Sequence, residues 1–217
     1  MQSTHKTQNA QVVLELLQKM YPNAGCTLDF TGPLELLIAT ILAAQCTDVR
    51  VNIVTKELFK KYPTVEHYAQ ADPKELEQDI KSTGFYQNKT KSIITCCRQI
   101  IERYQGQVPS SMEALTALAG VGRKTANVVL GNAFNIPGII VDTHMRRVSQ
   151  RLGLTSNDDP VKIERDLCAV IPQMEWVIFS HRMVEHGRKI CIARNPRCSI
   201  CLLAPHCRYF QNLNSGK

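Results

Sequence analysis

No stretch of this 217-residue chain approaches the roughly 18 apolar residues that a membrane-spanning helix needs. The polar beginning, Met1 to Asn9, has no apolar core of the kind a secretion signal carries. Period-two alternation of apolar and polar residues is missing, which argues against half-buried strands; Gly138-Ile139-Ile140-Val141 is the one ambiguous run. Internal repeats and low-complexity linkers are absent too, which excludes solenoids and tethered arrays. These absences leave a cytoplasmic helical protein as the expectation, long enough for one domain or two small ones.

What is present is helical periodicity. Gln11 to Tyr21 carries apolar residues at Val12, Val13, Leu16, Leu17 and Met20 and stops before Pro22. Pro33 opens an apolar helix over Leu34 to Cys46, and Thr47-Asp48 caps the next, down to Tyr62. Pro73 starts another that ends near Gly84, and Asn88 to Tyr104 is amphipathic. Further helices are expected over Thr143 to Leu152, Pro160 to Ile171 and Met174 to His186. The fold class is therefore all-α, with nine or ten helices and short connections. Lys and Arg outnumber Asp and Glu by 26 to 19, giving +7. Of that charge +6 lies from His181 onward, where Arg182, Arg188, Lys189, Arg194, Arg197, Arg208 and Lys217 stand against the one acid Glu185. Interleaved with cysteines and apolar residues, these charges suit a folded surface facing a polyanion.

Leu118-Ala119-Gly120-Val121-Gly122-Arg123-Lys124-Thr125-Ala126 stands between two helical patterns, a short one capped by Ser111 and a longer one over Arg123 to Phe134. Two glycines one residue apart permit positive φ and close backbone approach to a ligand. Their N–H groups, with the positive end of the second helix, make an anion site, and in a basic protein the natural anion is a nucleic-acid phosphate. A phosphate loop of the nucleotide-binding kind is excluded, because Arg123 separates Gly122 from Lys124 and position 117 is alanine. A plain helix–helix connection with a glycine C-cap stays open on spacing alone.

Five of the nine cysteines, Cys26, Cys46, Cys96, Cys97 and Cys168, are scattered through helical patterns where buried thiols are ordinary. The other four, Cys191-x6-Cys198-x2-Cys201-x5-Cys207, fall within 17 residues, in a stretch too poor in helical pattern to hold itself together. Four thiolates bind tetrahedral zinc or an iron–sulfur cluster, and a reducing compartment argues against disulfides. One short knuckle with wider gaps on both sides favours a [4Fe–4S] cluster over zinc, in a structural role. Arg194 and Arg197 would then sit on a stiffened loop that presents charge to phosphate.

Leu118 to Ala126, Val141-Asp142-Thr143-His144, the four cysteines and Leu42-Ala43-Ala44-Gln45-Cys46-Thr47-Asp48 together resemble the endonuclease III family of helix-hairpin-helix DNA glycosylases. The resemblance runs from about Val12 to Cys207, in the family's order and spacing. It implies two lobes: residues 26–136, with the helix-hairpin-helix at about 111–134, and residues 1–25 with 137–217, bearing a [4Fe–4S] cluster on Cys191, Cys198, Cys201 and Cys207. Duplex DNA lies between the lobes with a damaged nucleotide flipped out. A monomer is expected, cytoplasmic and, if the source is bacterial, associated with the nucleoid.

By the family pattern Lys124 is the nucleophile and Asp142 its carboxylate partner. Expelling a base leaves positive charge on the sugar, which a carboxylate stabilises. A neutral amine then attacks C1′ and forms a Schiff base, which acidifies the C2′ proton and permits β-elimination of the 3′ phosphate. Gln45 matches the residue that fills the gap left by the flipped nucleotide, beside Thr47 and Asp48. Phe85 or Tyr86 stands where the family places an apolar wedge. Gly120, Val121, Gly122, Arg123 and Thr125 of the hairpin, with His144 and Arg147, are expected at the DNA. The resemblance implies a bifunctional glycosylase and AP lyase acting on oxidised or ring-saturated pyrimidines. The residues also admit duller roles: Lys124 as a phosphate contact, Asp142 as a helix N-cap. The alternatives are a monofunctional adenine glycosylase-like enzyme, which would lack the lysine, and a non-catalytic DNA-binding protein, which has little use for a carboxylate.

Overall fold

Capping side chains and prolines mark the helix starts of this chain. In the computed structural model, which describes residues 2–215 and the side chains of 7–213, Thr47 Oγ1 accepts from Arg50 N at 3.3 Å, and Asp72 Oδ1 from Glu75 N at 3.0 Å. Ser111 Oγ accepts from Ala114 N at 3.2 Å, Asp142 Oδ1 from Met145 N at 2.7 Å, and Asp159 Oδ1 from Lys162 N at 2.9 Å. Each such cap contributes about 1 kcal/mol and fixes where a helix begins.

Among the described residues there are twelve α-helices and no strand: α1 (Gln2–Met20), α2 (Pro33–Leu42), α3 (Asp48–Lys61), α4 (Val65–Ala69), α5 (Pro73–Ile80), α6 (Tyr86–Tyr104), α7 (Met112–Thr116), α8 (Arg123–Ala133), α9 (Thr143–Leu152), α10 (Pro160–Cys168), α11 (Trp176–Lys189) and α12 (Arg208–Ser215). The fold is all-α. Two short helices, α4 and α12, exceed the expected number, because five and eight residues hold too little periodicity to read. The ambiguous run at 138–141 forms no strand; Ile139 and Ile140 are buried, and Ile140 N donates to Ser180 Oγ at 3.0 Å. No described helix is long and apolar enough to cross a membrane. Met1 of the polar beginning and Lys217 of the basic tail lie outside the described residues.

The chain divides into two compact units, 26–136 and 1–25 with 137–217. In the first, α4 packs on α6 and α2 on α8 around Leu36, Leu37, Ile38, Leu42, Ile93, Ile100 and Leu115. Each such side chain, fully buried, contributes about 1.5–3 kcal/mol. In the second, α9 and α1 pack on α11 around Leu17, Val148, Ile163, Leu167, Phe179 and Met183. Gly187 sets the approach of α9 to α11: a Cβ there would stand 2.9 Å from His144 Cβ.

Candidate functional site

α7, α8 and the six residues between them form the hairpin. Leu118 N and Val121 N close tight turns on Leu115 O and Leu118 O at 3.1 and 3.2 Å, and Ala119 N donates to Gln99 Oε1 of α6 at 2.8 Å. The two glycines have different work. Gly120 sits at φ +75°, and a Cβ on it would lie 2.7 Å from Ser92 Cβ, so backbone conformation and packing both demand glycine. Gly122 is the N-cap of α8, at φ −93°, and a Cβ there would meet nothing within 4 Å. The fold gives no reason for glycine at 122. It supplies no side-chain cap, so the first turn of α8 keeps the character of an anion site. Arg123 and Lys124 on that turn are exposed and Thr125 is half-buried. Val121 is only 6% exposed, so it has its backbone alone to offer a ligand.

Two loops of the same unit carry the gap-filling candidates. Gln45 and Phe85 are non-glycine residues held left-handed, at φ 55° and 48°, and both are exposed. Such conformations cost about 1–3 kcal/mol and cluster where a side chain must be aimed. Phe85 is 61% exposed, whereas Tyr86 packs half-buried against the core. Thr47 caps α3, and Asp48 Oδ2 accepts from Thr27 Oγ1 at 2.6 Å. These two therefore shape the end of the Gln45 loop.

In the other unit Asp142 is half-buried and caps α9. Burial pushes the His144 imidazole below its ordinary range; Arg147 and Arg188 add to this and Asp142 opposes it. Arg147 turns inward: Nε donates to Cys191 O at 3.1 Å and Nη2 to Gly187 O at 2.8 Å, with His144 Nδ1 3.1 Å from Nη2. These bonds brace the chain at the first cysteine and just ahead of it.

Cys191, Cys198, Cys201 and Cys207 line one small cavity of about 20 Å³. Two 3-10 turns, Cys198–Ile200 and Ala204–His206, are the regular structure of this stretch. Arg151 laces it to α9: Nη1 donates to Ile192 O at 2.8 Å and reaches Cys191 Sγ at 3.4 Å, and Nη2 donates to Ala193 O at 2.9 Å. Cys207 Sγ donates to Arg151 O at 3.3 Å. His186 Nε2 lies 3.7 Å from Cys201 Sγ, and its Nδ1 is 3.0 Å from Tyr21 OH. Burial pushes His186 down to about 4. Burial pushes the Cys201 thiol up to about 11, and raises Cys198 and Cys207 as well. A cationic centre is the partner that lets such thiols ionise. Among the described residues no three His, Cys, Asp or Glu side chains are grouped as a single-ion site. Arg194 and Arg197 are exposed on the loop between the first two cysteines, whose Asn195 sits at φ 53°.

Gln99, Ser92, Lys89, Arg151 and His186 escaped the sequence reading. Only Arg151 had a readable signal: with Arg147 it forms an i, i+4 pair on α9, so both guanidinium groups leave one face.

An all-helical chain with a glycine hairpin and a four-cysteine cavity defines a class, and comparison with known proteins bears on it directly. Residues 38–173 match the HhH-GPD superfamily, described as base excision DNA repair protein. Endonuclease III of Synechocystis sp. is 53% identical over 203 residues, 93% of each chain, and endonuclease III of Bacillus subtilis 46% identical over 196 residues, 90% of each. A solved structure of a non-covalent endonuclease III–DNA complex matches with a TM-score of 0.91 at 46% identity, covering 96% of this chain and 98% of that one. The chain belongs to the endonuclease III family.

Proposed function

We propose that the protein is a bifunctional DNA glycosylase and AP lyase of base excision repair, acting as a monomer on duplex DNA that carries oxidised or ring-saturated pyrimidines or abasic sites. The observation that carries this reading is the exposed Lys124 on the first turn of α8, directly after a glycine N-cap that the fold itself does not require. In a hairpin used only to hold phosphate an amine there adds one more contact; in a lyase it is the nucleophile, which the family pattern assigns to this position. Lys124 Nζ, once neutral, bonds to C1′ as the base departs, and Asp142 offsets the positive charge that develops on the sugar. Loss of an N–H proton and opening of the C1′–O4′ bond, whose oxygen takes up a proton, convert this adduct to an imine, which acidifies the C2′ proton. Its loss breaks the C3′–O bond, and the strand parts 3′ to the abasic site. Water then releases the lysine. Gln45 and Phe85 fill the vacated base step, and Phe85 is favoured over Tyr86 by its exposure. The hairpin backbone at Gly120, Val121 and Gly122, with Arg123, Thr125, Arg194 and Arg197, holds phosphates.

The two units serve as the two lobes of the family, and the cytoplasmic nucleoid is the place of work. The family is expected to bind an iron–sulfur cluster, and a cavity that gathers four thiols among mostly apolar side chains, braced by Arg151 and His186, fits one. Cys191, Cys198, Cys201 and Cys207 would hold it as [4Fe–4S]. When bound, the cluster supplies a rigid cross-link to a stretch with little secondary structure of its own.

Borohydride trapping tests the reading. A duplex containing thymine glycol, with an abasic-site duplex beside it, should give a covalent complex that Lys124→Ala abolishes. No complex on either duplex, from protein with normal iron–sulfur absorbance, would overturn the lyase and leave the monofunctional or non-catalytic alternative.

A further inference from the structure

Among the described residues Lys89 is the one buried lysine, at 5% exposure, and nothing in the proposed chemistry uses it. Burial lowers its pKa, yet no carboxylate meets it. Its ammonium donates instead to two carbonyls, Leu42 O and Thr83 O, each at 2.8 Å. Leu42 is the last residue of α2, and its carbonyl faces the end of a helix, where orphan acceptors and a negative dipole favour a cation. Three residues on comes left-handed Gln45. Thr83 ends a 3-10 turn, and two residues on comes left-handed Phe85. Lys89 N in turn donates to Phe85 O at 3.0 Å, closing the first turn of α6. One residue thus grips both sides of the Gly84-Phe85 turn and, 47 positions away in sequence, the root of the Gln45 turn.

We propose that Lys89 is a positioning residue that sets the spacing and aim of Gln45 and Phe85 as a pair, so that two separate loops enter one vacated base step together. A buried lysine is costly to keep, and methionine of similar length would fill the same space. What the ammonium adds is two directed bonds to two loops, each held in a strained conformation. The inference rests on the proposed roles of Gln45 and Phe85.

The test compares two substrates: a thymine glycol duplex, where extrusion leaves a gap to fill, and a single-stranded oligonucleotide with an abasic site, where there is no opposite strand and no gap. Lys89→Met should lower base release from the duplex by about tenfold or more, since displacements near 1 Å can cost up to about a hundredfold. Borohydride trapping on the single strand should change far less; the melting temperature falls because Leu42 O and Thr83 O lose their donor, but a general loss of stability would lower both activities alike. Lys89→Arg, which keeps donors for both carbonyls, should restore most of the duplex activity, and Lys89→Gln, with one short donor arm, should fall between. Equal losses on both substrates, or no loss on either, would overturn the proposal; should Lys89→Met fail to fold, Lys89→Gln against Lys89→Arg decides in the same way. Gln45→Ala combined with Phe85→Ala separates the two layers. If that pair leaves the duplex-to-single-strand ratio unchanged, the gap-filling reading is wrong; if it lowers the ratio and Lys89→Met does not, only the role of Lys89 is wrong.

Discussion

The unit of residues 26–136 and the unit of 1–25 with 137–217 are held by different means. In the first, one apolar core runs through seven helices, α2 to α8, and polar ties such as Gln99 to Ala119 N trim its edges. In the second, a comparable core reaches into residues 191–207 only through buried Leu203 and Cys207, with Cys191 and Cys201 packed against it, and the rest of that stretch is fastened by Arg147, Arg151 and His186 to backbone carbonyls and sulfur. Where the sequence has helical periodicity, burial suffices. Where it does not, a few buried residues are supplemented by directed bonds, to which the proposed cluster would add.

The sharpest way to break this contrast is to remove one thiol. Cys201→Ser should strip most of the iron of the proposed cluster and cost the second unit several kcal/mol, because metal-binding free energy adds to folding free energy in a stretch with few buried residues of its own. Iron content and absorbance read the first effect, and amide exchange in α9 and α11 the second. Exchange in α6 should stay as it was; an equal rise there would show that the two units do not differ in this way.

A matched pair of truncations comes next. Leu36→Ala, in a fully buried position of α2, should cost about 2–5 kcal/mol and leave the iron in place. Arg151→Met leaves part-buried Ile192 O and exposed Ala193 O without their donors, at about 1 kcal/mol in all, and should speed iron loss from the proposed cluster in the presence of a chelator. Denaturant melts with iron release followed in parallel distinguish the two. Iron loss from Leu36→Ala as fast as from Arg151→Met would erase the distinction.

Asp142 joins both concerns, since its carboxylate caps α9 and is the proposed electrostatic partner of the reaction. Serine caps a helix about as well as aspartate but carries no charge. Asp142→Ser should therefore leave stability within about 0.5 kcal/mol and lower base release by about 10²–10³-fold, the size expected for losing one stabilising group in a transition state. Single-turnover base release checks the activity and a thermal melt the cap. A large loss of stability with little loss of rate would make Asp142 a cap and nothing more.

Much of this was legible in the sequence. Thr143–Leu152 emerges with its expected bounds, because aspartate caps it, glycine ends it and an apolar stripe fills it. Ser111, Thr47, Pro73 and Pro160 marked helix starts for the same local reason. The cysteine group was readable by spacing, and its four thiols share one cavity. What stayed hidden depends on long-range approach. No local pattern tells that Lys89 meets Leu42 O across 47 residues, that Ser92 crowds Gly120, or that Arg147 spends its donors on carbonyls near Cys191. Periodicity gives the face a residue lies on, and not the partner that face will meet.

The smallest effects lie in the hairpin, where the same substitution at two glycines should give opposite results. At Gly120 a methyl group meets Ser92 Cβ at 2.7 Å on backbone of positive φ, so Gly120→Ala should cost about 1–3 kcal/mol and lower DNA affinity only through the distorted turn. At Gly122 the methyl meets no protein atom, and φ of −93° suits alanine. Alanine there should shift stability by no more than about 0.5 kcal/mol, losing a little as a poorer N-cap and regaining some by restricting the unfolded chain. Its cost should appear instead when a phosphate approaches the start of α8, as weaker binding to any duplex, damaged or intact, with sequence-independent loss. A thermal melt and a binding isotherm at fixed salt for each variant settle the matter. If Gly122→Ala binds an intact duplex as well as the parent does, the open space beside Gly122 is not where the phosphate sits, and the case for the hairpin would rest on Gly120 and Lys124 alone.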